Sequence, residues 1–151
     1  MKATIVKSLL VVEDSDEDYE VLDLAFRKIA VESPVIRCIN GDDALDYLYQ
    51  SGKYAEPDLA PTPALILLDL NLPGTDGREV LKKIKQDGKL KLIPVVILTT
   101  SSNTNDIEYC YTNGANSYVI KPLNFKKFMD EIELFYRYWF EVVAFVHPEG
   151  E

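Results

Sequence analysis

Residues 64–77 have the sequence Ala-Leu-Ile-Leu-Leu-Asp-Leu-Asn-Leu-Pro-Gly-Thr-Asp-Gly, in which five apolar residues run directly into Asp69. A continuous apolar run bounded by turn residues is typical of a central strand of a parallel sheet, buried on both faces. Asp69 then lies at the carboxyl end of this strand, where open α/β sheets bind ligands, with the Pro73-Gly74 and Asp76-Gly77 turns behind it. Taken alone, Asp69 is better explained as a turn cap, so its role depends on the rest of the chain.

Length and composition predict one domain spanning residues 1–151. The chain has 47% hydrophobic residues, enough for a core, and a net charge of −9. Because phosphate binding needs clustered Lys and Arg, this charge argues against nucleic acid and against an anionic membrane surface as partners. Cys38 and Cys110 lie in apolar contexts without a pairing framework, which suits the cytoplasm. Neither an export signal nor a membrane span is expected.

Apolar strand segments alternate with helical periodicity five times along the chain. The predicted strands are 7–12, 35–39, 64–68, 93–98 and 117–120. The predicted helices run from 15 or 16 to about 31, from 42 to near 52, over 78–87, over 103–111, and from 124 onward. Between them, residues 51–63 contain three prolines and predict an irregular surface loop insertion. This alternation predicts an α/β fold with a doubly wound parallel sheet and helices on both faces.

Polar residues follow the predicted strands at the same edge of this sheet. Glu13 and Asp14 follow the first strand, Asp69 the third, Thr99 the fourth and Lys121 the fifth. Carboxyl ends of parallel strands share one edge, so we expect these residues to form one site. Two carboxylates about 4 Å apart repel by roughly 1 to 4 kcal/mol at water-like to surface-like dielectric, which calls for a cation. Oxygen ligands with waters suit Mg²⁺.

The chemistry that fits this set is phosphoryl transfer to a carboxylate. A carboxylate beside Mg²⁺ can act as the nucleophile, as in enzymes that form aspartyl phosphates. The Thr99 hydroxyl would donate to one phosphoryl oxygen, and Lys121 would neutralise another. The residues therefore indicate Asp69 as a phosphoacceptor.

Four motifs carry a resemblance to a known family: Val-Val-Glu-Asp-Ser, Leu-Leu-Asp-Leu-Asn-Leu-Pro-Gly-Thr-Asp-Gly, Ile-Leu-Thr-Thr-Ser and Gly-Ala-Asn-Ser-Tyr-Val-Ile-Lys-Pro. The chain resembles the receiver domain of two-component response regulators, from about Ser8 to the C-terminal helix. The resemblance implies a five-stranded sheet of order 2-1-3-4-5, as in flavodoxin-like folds. It also implies that Asp69 is phosphorylated, that Asp14 binds Mg²⁺ or Mn²⁺ directly with Glu13 acting through water, and that the Asn71 carbonyl is a further ligand.

The same resemblance implies the parts of a conformational switch. Thr99 and Tyr118 would be the switch pair, and Lys121 would bond the phosphoryl oxygens. The Lys121-Pro122 peptide would be cis, which is a small cost for a bond before proline. Thr100 departs from the family, where a smaller residue is common, and would narrow access to the phosphoryl site.

A narrower resemblance rests on Asp-Gly-Arg-Glu-Val-Leu, Ile-Pro-Val-Val, Leu-Thr-Thr-Ser and the loop at 51–63. These features resemble cyanobacterial response regulators that partner phytochrome-type sensor histidine kinases. The chain would then be no enzyme on an external substrate, but a phosphoacceptor that promotes its own phosphorylation and dephosphorylation. Output would pass through protein contacts. The alternative is a phosphate sink or relay without its own output.

Three other classes fit the sequence less well than the receiver. A haloacid-dehalogenase phosphatase needs a second Asp two residues after the nucleophile, and Asn71 cannot move a proton there. A flavodoxin-like cofactor binder needs a phosphate loop after the first strand, where Glu13 and Asp14 would repel phosphate. A degenerate receiver that serves only for docking disagrees with the complete set of site residues.

The C-terminal helix carries more apolar residues than one buried face needs. The expected core-facing stripe is Phe125, Phe128, Met129, Ile132, Phe135, Tyr136, Trp139 and Val143. Leu134, Tyr138, Val142 and Phe145 lie elsewhere around an extended helix. This surplus predicts a homodimer interface. The narrower resemblance implies the same, since members of that group pair through this C-terminal surface. The alternative is that the extension folds back on its own domain.

Overall fold

The computed structural model describes residues 7–146. Within them lies a five-stranded parallel sheet of order β2-β1-β3-β4-β5. The strands are β1 (Leu9–Val12), β2 (Val35–Cys38), β3 (Leu65–Leu68), β4 (Val95–Thr99) and β5 (Ser117–Ile120). The prediction of a doubly wound parallel sheet in this order is confirmed.

Five α-helices connect and follow these strands: α1 (Asp16–Lys28), α2 (Gly41–Tyr49), α3 (Gly77–Gln86), α4 (Thr104–Thr112) and α5 (Phe125–Arg137). Each begins with a side chain that accepts a backbone N–H of its first turn. These caps are Ser15, Asn40, Asp76, Asn103 and Asn124. Since Ser, Asn and Asp satisfy the otherwise unpaired N–H groups, they fix where each helix leaves the sheet edge.

The sheet separates two apolar layers. On one face α1 and α5 pack through residues such as Leu22, Phe26 and Ile132. On the other, α2, α3 and α4 pack through residues such as Leu48 and Ile84. All residues of β1, β3 and β4 are buried, so the continuous apolar runs do form central strands. Cys38 and Cys110 are buried free thiols, as expected.

The insertion at 51–63 is more ordered than its prolines suggest. It contains two short 3₁₀ turns, Gly52–Tyr54 and Pro57–Leu59. The Tyr47 hydroxyl donates to the Pro61 carbonyl at 3.0 Å. The Tyr54 hydroxyl donates to the Asp43 carboxylate at 2.9 Å. The insertion, which lies wholly within the described residues, contains neither an α-helix nor a strand, as predicted for a surface loop, but two α2 side chains hold it against the domain.

The C-terminal extension is helical only in part. After α5 the backbone forms a π-helix, Tyr138–Val142, and the chain then becomes extended at Val143. Phe145 turns back and packs on Trp139 and Phe140, with ring centroids 6.4 and 5.6 Å away. The assignment of Phe145 to a free dimer surface is therefore corrected, because aromatic packing within the domain takes up its side chain.

The rest of the surplus stripe stays on the surface. The exposed fractions are 67% for Leu134, 55% for Tyr138 and 72% for Val142. Phe125, which was expected on the buried face, is also exposed. Among the described residues, no helix is long and apolar enough to cross a membrane.

Candidate functional site

The carboxyl ends of four strands bring the predicted site residues together. Glu13 follows β1, Asp69 follows β3, Thr99 ends β4 and Lys121 follows β5. These four are buried, with exposed fractions of 2%, 6%, 0% and 7% respectively, whereas Asp14 is exposed. Burying charged side chains is costly unless they are paired, so the buried Glu13, Asp69 and Lys121 indicate a polar site at this edge of the sheet.

Lys121 is the centre of this site. Its ammonium Nζ lies 2.7 Å from Glu13 Oε1, 2.8 Å from Asp18 Oδ2 and 3.0 Å from Asp69 Oδ2. Three acceptors therefore match the three N–H groups of the ammonium. The backbone N–H of Lys121 also donates to the Thr99 carbonyl at 2.7 Å. Lys121 is thus fixed both at its backbone and at its ammonium group.

Burial and charge act on Lys121 in opposite directions. Burial alone would lower the pKa of Lys121, but its hydrogen bonds to Asp18 and Glu13 and the charge of Asp69 raise that pKa above its ordinary value. Burial raises the pKa of Glu13 to about 7, while the Lys121 hydrogen bond opposes that shift and the Asp69 charge adds to it. Lys121 is therefore an ammonium throughout the physiological range, beside more negative charge than it can neutralise.

Oxygen atoms of Glu13, Asp14 and Asp69 form a candidate metal cluster. One carboxylate oxygen from each lies within 4.8 Å of the others. Three hard oxygen ligands with an open, exposed side suit a divalent cation that keeps several waters. The Asn71 N–H donates to Asp69 Oδ1 over a long 3.4 Å, and Asn71 itself is exposed at the mouth. The residues present therefore fit a divalent metal ion.

The predicted switch residues, Thr99 and Tyr118, both contact Ser101. The Thr99 hydroxyl accepts the Ser101 N–H at 3.5 Å, and its side chain is fully buried. The Tyr118 hydroxyl donates to the Ser101 carbonyl at 2.9 Å. Tyr118 is half-buried in this arrangement. Both side chains thus meet at Ser101, in the loop between β4 and α4.

Sequence reasoning missed Asp18 and the network around Ser101. Asp18 lies in the first turn of α1, where an acidic side chain is common because the helix dipole favours it. The Ser101 hydroxyl donates to Asp106 at 2.6 Å, and Arg78 Nε donates to the same carboxylate at 3.0 Å. No short-range pattern marks these partners, because they come from three separate helix starts and one loop.

Close backbone approaches hold the loop behind Asp69. A Cβ at Gly77 would lie 2.1 Å from the Asp69 carbonyl oxygen, so only glycine permits this contact. A Cβ at Gly41 would lie 1.9 Å from the Thr75 carbonyl oxygen. The Asp42 carboxylate also accepts the Thr75 hydroxyl. The turns at 73–77 are therefore clamped between α2 and α3.

The expected cis peptide at Lys121-Pro122 is wrong for this structure. Residues 7–146 contain no cis peptide bond, so this one is trans. The trans isomer is favoured by about 0.5 to 1 kcal/mol before proline, and residues 121–124 reach the Asn124 cap of α5 without the cis form.

The comparisons with known proteins agree with this geometry. Rcp1 of Synechocystis sp. is described as a response regulator and is 40% identical over 138 residues, which cover 91% of this chain and 92% of Rcp1. FilR2 of Methanothrix harundinacea, a probable methanogenesis regulatory protein, is 38% identical over 87% of this chain and 82% of its own length.

Solved structures give the same result. The Mn²⁺-bound form of Rcp1 matches with a TM-score of 0.87 at 39% identity, over 93% of this chain and 99% of that one. The phosphorylated cyanobacterial phytochrome response regulator RcpA matches with a TM-score of 0.88 at 38% identity, over 95% of this chain and all of that one. In sequence, the family model described as the response regulator receiver domain matches residues 9–133. The chain therefore belongs to the response regulator receiver family.

Proposed function

We propose that Asp69 accepts a phosphoryl group from the phosphohistidine of a sensor histidine kinase. The observation that carries this proposal is the position of the Asp69 carboxylate. It is buried at a strand end, 3.0 Å from the Lys121 ammonium, and it shares a cluster with Glu13 and Asp14. The solved structure of phosphorylated RcpA supports it, because that relative matches almost the whole chain.

In the transfer, an Asp69 oxygen attacks phosphorus and the phosphorus–nitrogen bond of the donor breaks. The bonding electrons leave with the imidazole, and Asp69 becomes an acyl phosphate. Lys121 is positioned to neutralise one phosphoryl oxygen, and the Thr99 hydroxyl is positioned to donate to another. Such preorganised donors supply most of the catalysis in phosphoryl transfer.

Glu13, Asp14 and Asp69 would hold a divalent metal ion, with the Asn71 carbonyl as a further ligand. We propose Mg²⁺, with Mn²⁺ as a substitute, and the solved Mn²⁺-bound form of the relative Rcp1 supports a divalent ion. When bound, the ion supplies positive charge for the phosphoryl oxygens. This chain's carboxylates would orient the ion beside Asp69.

We infer that the donor is a phytochrome-type kinase and that the protein acts in the cytoplasm. RcpA is described as a phytochrome response regulator, and the 31% identical RPA3017 as a response regulator in red light signaling. Phosphorylation would draw Thr99 toward the phosphoryl group and move Tyr118 inward, so that output passes through protein contacts. A phosphate sink or relay is the second candidate, and an unchanged Tyr118 environment on phosphorylation would favour it.

We further propose a homodimer through the exposed stripe of Leu134, Tyr138 and Val142. These residues share one face of the C-terminal helix at a spacing of four residues. All three are more than half exposed. An apolar stripe of this kind is typical of an interface.

The test uses labelled kinase, Mg²⁺ and two variants. Asp69→Asn keeps the shape but removes the nucleophile, so we expect no label on it. Asp76→Asn changes a carboxylate of the α3 cap and should still take label. Equal labelling of Asp69→Asn and the wild type would refute the phosphoacceptor assignment.

A further inference from the structure

Asp18 is a site residue that the metal cluster does not use. It lies in the first turn of α1, where its N–H donates to the Ser15 hydroxyl at 3.2 Å. Its carboxylate accepts the Lys121 ammonium at 2.8 Å, across 103 residues of sequence. The side chain is one-third exposed, whereas that of Lys121 is 4% exposed. Asp18 thus borders the site on the solvent side.

The three acceptors of Lys121 differ in what else they can bind. Glu13 and Asp69 belong to the candidate metal cluster, together with Asp14. Asp18 does not belong to it. A divalent cation and an ammonium repel each other, and both are attracted to the Glu13 and Asp69 carboxylates. A metal ion in the cluster therefore weakens the attraction of Lys121 to Glu13 and Asp69, but it does not compete for Asp18.

We propose that Asp18 is the positioning residue that keeps the Lys121 ammonium at the phosphorylation site when a metal ion occupies the carboxylate cluster. This inference rests on the proposed function. Asp18 anchors one N–H of Lys121 from outside the cluster, and the other N–H groups become available to the phosphoryl oxygens. Without Asp18, the long lysine side chain would lose this anchor and gain rotamers.

The charge balance supports this role. Glu13, Asp14, Asp18 and Asp69 are four carboxylates around one ammonium. A divalent cation would offset part of the charge of Glu13, Asp14 and Asp69. Asp18 lies outside this cluster, so its carboxylate still attracts Lys121. A hydrogen bond between two charged groups is among the stronger ones in a protein.

The first readout is the Lys121 ammonium signal in NMR, because a buried ammonium with three acceptors exchanges its protons slowly. Without metal, we expect the signal in the wild type and in Asp18→Ala, where Glu13 and Asp69 remain. With saturating Mg²⁺, we expect the wild type to keep the signal and Asp18→Ala to lose it. Asp18→Glu, which restores the charge, should recover it in part.

Glu17→Ala is the matched control, since Glu17 is an exposed acid in the same helical turn. It removes the same charge and should keep the signal with Mg²⁺. If Asp18→Ala also keeps the signal with Mg²⁺, the proposal is overturned. If Asp18→Ala does not fold, Asp18→Asn gives the same comparison.

The second readout is phosphorylation by phosphoramidate, a small donor that needs no kinase contact. Loss of one charge-assisted hydrogen bond predicts a rate lower by about tenfold in Asp18→Ala. An unchanged rate would overturn the role of Asp18 in transfer. If even the wild type takes no phosphate on Asp69, the proposed function fails, while the NMR comparison still decides whether Asp18 positions Lys121.

Discussion

At the scale of single residues, Gly77 decides whether Asp69 is held in place. A Cβ at this position would lie 2.1 Å from the Asp69 carbonyl oxygen and 2.6 Å from the Leu70 Cα. Because both are backbone atoms, Gly77→Ala must displace the strand end or α3. We expect it to lower the free energy of unfolding by about 1 to 3 kcal/mol. Urea denaturation measures this loss.

Gly88→Ala is the control, since a Cβ there would meet nothing within 4 Å. We expect its free energy of unfolding to stay within about 0.5 kcal/mol of the wild type. Equal losses in both variants would contradict the close-approach argument.

The two thiols should be inert in the folded protein. Burial, with the Asp43 charge second, raises the pKa of Cys38 to about 12. Burial raises the pKa of Cys110 to about 11. Since the thiolate is the nucleophile, we expect no reaction with a thiol reagent at pH 8 until denaturant is added. Rapid labelling of one thiol per chain under native conditions would contradict the burial of that thiol.

The sequence predicted Glu13, Asp69, Thr99 and Lys121 because each follows an apolar run, and parallel strands bring their ends together. It could not predict Asp18. The partner of Asp18 is 103 residues away, and acids in the first turn of a helix are common without such a partner.

At the scale of elements, the contact between Arg78 and Asp106 ties α3 to α4. The Ser101 hydroxyl, and then Arg78, hold the pKa of Asp106 below its ordinary value, although burial opposes them. The side chains of Arg78 and Asp106 are 29% and 21% exposed, so solvent screening limits how much this ion pair stabilises the fold. We expect Asp106→Asn to lower the free energy of unfolding by about 1 kcal/mol or less.

The pH dependence of this loss follows from the lowered pKa. A carboxylate whose pKa is lower in the folded than in the unfolded protein stabilises the fold fully above its unfolded pKa of about 3.9. This stabilisation is lost as the pH falls through the pKa of the folded state. The difference between Asp106→Asn and the wild type should therefore be full at pH 6 and shrink below pH 4. Denaturation at both pH values, with hydrogen exchange of the Ser101 amide, tests this. A difference that grows on acidification would contradict it.

Element types were predictable from periodicity, but several ends were not. The first helix was expected to reach about Val31, yet α1 ends at Lys28 and Ala30 takes a φ of 53°. Likewise α2 was expected to end near Gly52, but it ends at Tyr49, and Gln50 takes the left-handed conformation with a φ of 54°. Neither residue carries the usual glycine signal for such a conformation. The return of Phe145 onto Trp139 depends on tertiary packing, which no local pattern encodes.

At the scale of the whole molecule, the apolar stripe predicts a dimer. We expect light scattering at tens of micromolar to give the mass of two chains for the wild type. Tyr138→Glu combined with Val142→Glu places two charges on the stripe and should give one chain, because charges are costly in an interface core. Lys126→Glu is a control for added acid on the exposed part of α5. A wild-type monomer with or without phosphoramidate would exclude the dimer.

The central claim is that Asp69 accepts the phosphoryl group in a site built by strand ends. The most direct measurement is intact-protein mass spectrometry after phosphoramidate treatment, with Mg²⁺ and with a chelator. We predict that the wild type gains the mass of one phosphoryl group only with the metal ion. We predict no gain in Asp69→Asn. A full phosphoryl gain in Asp69→Asn, or in the wild type with chelator, would contradict the account.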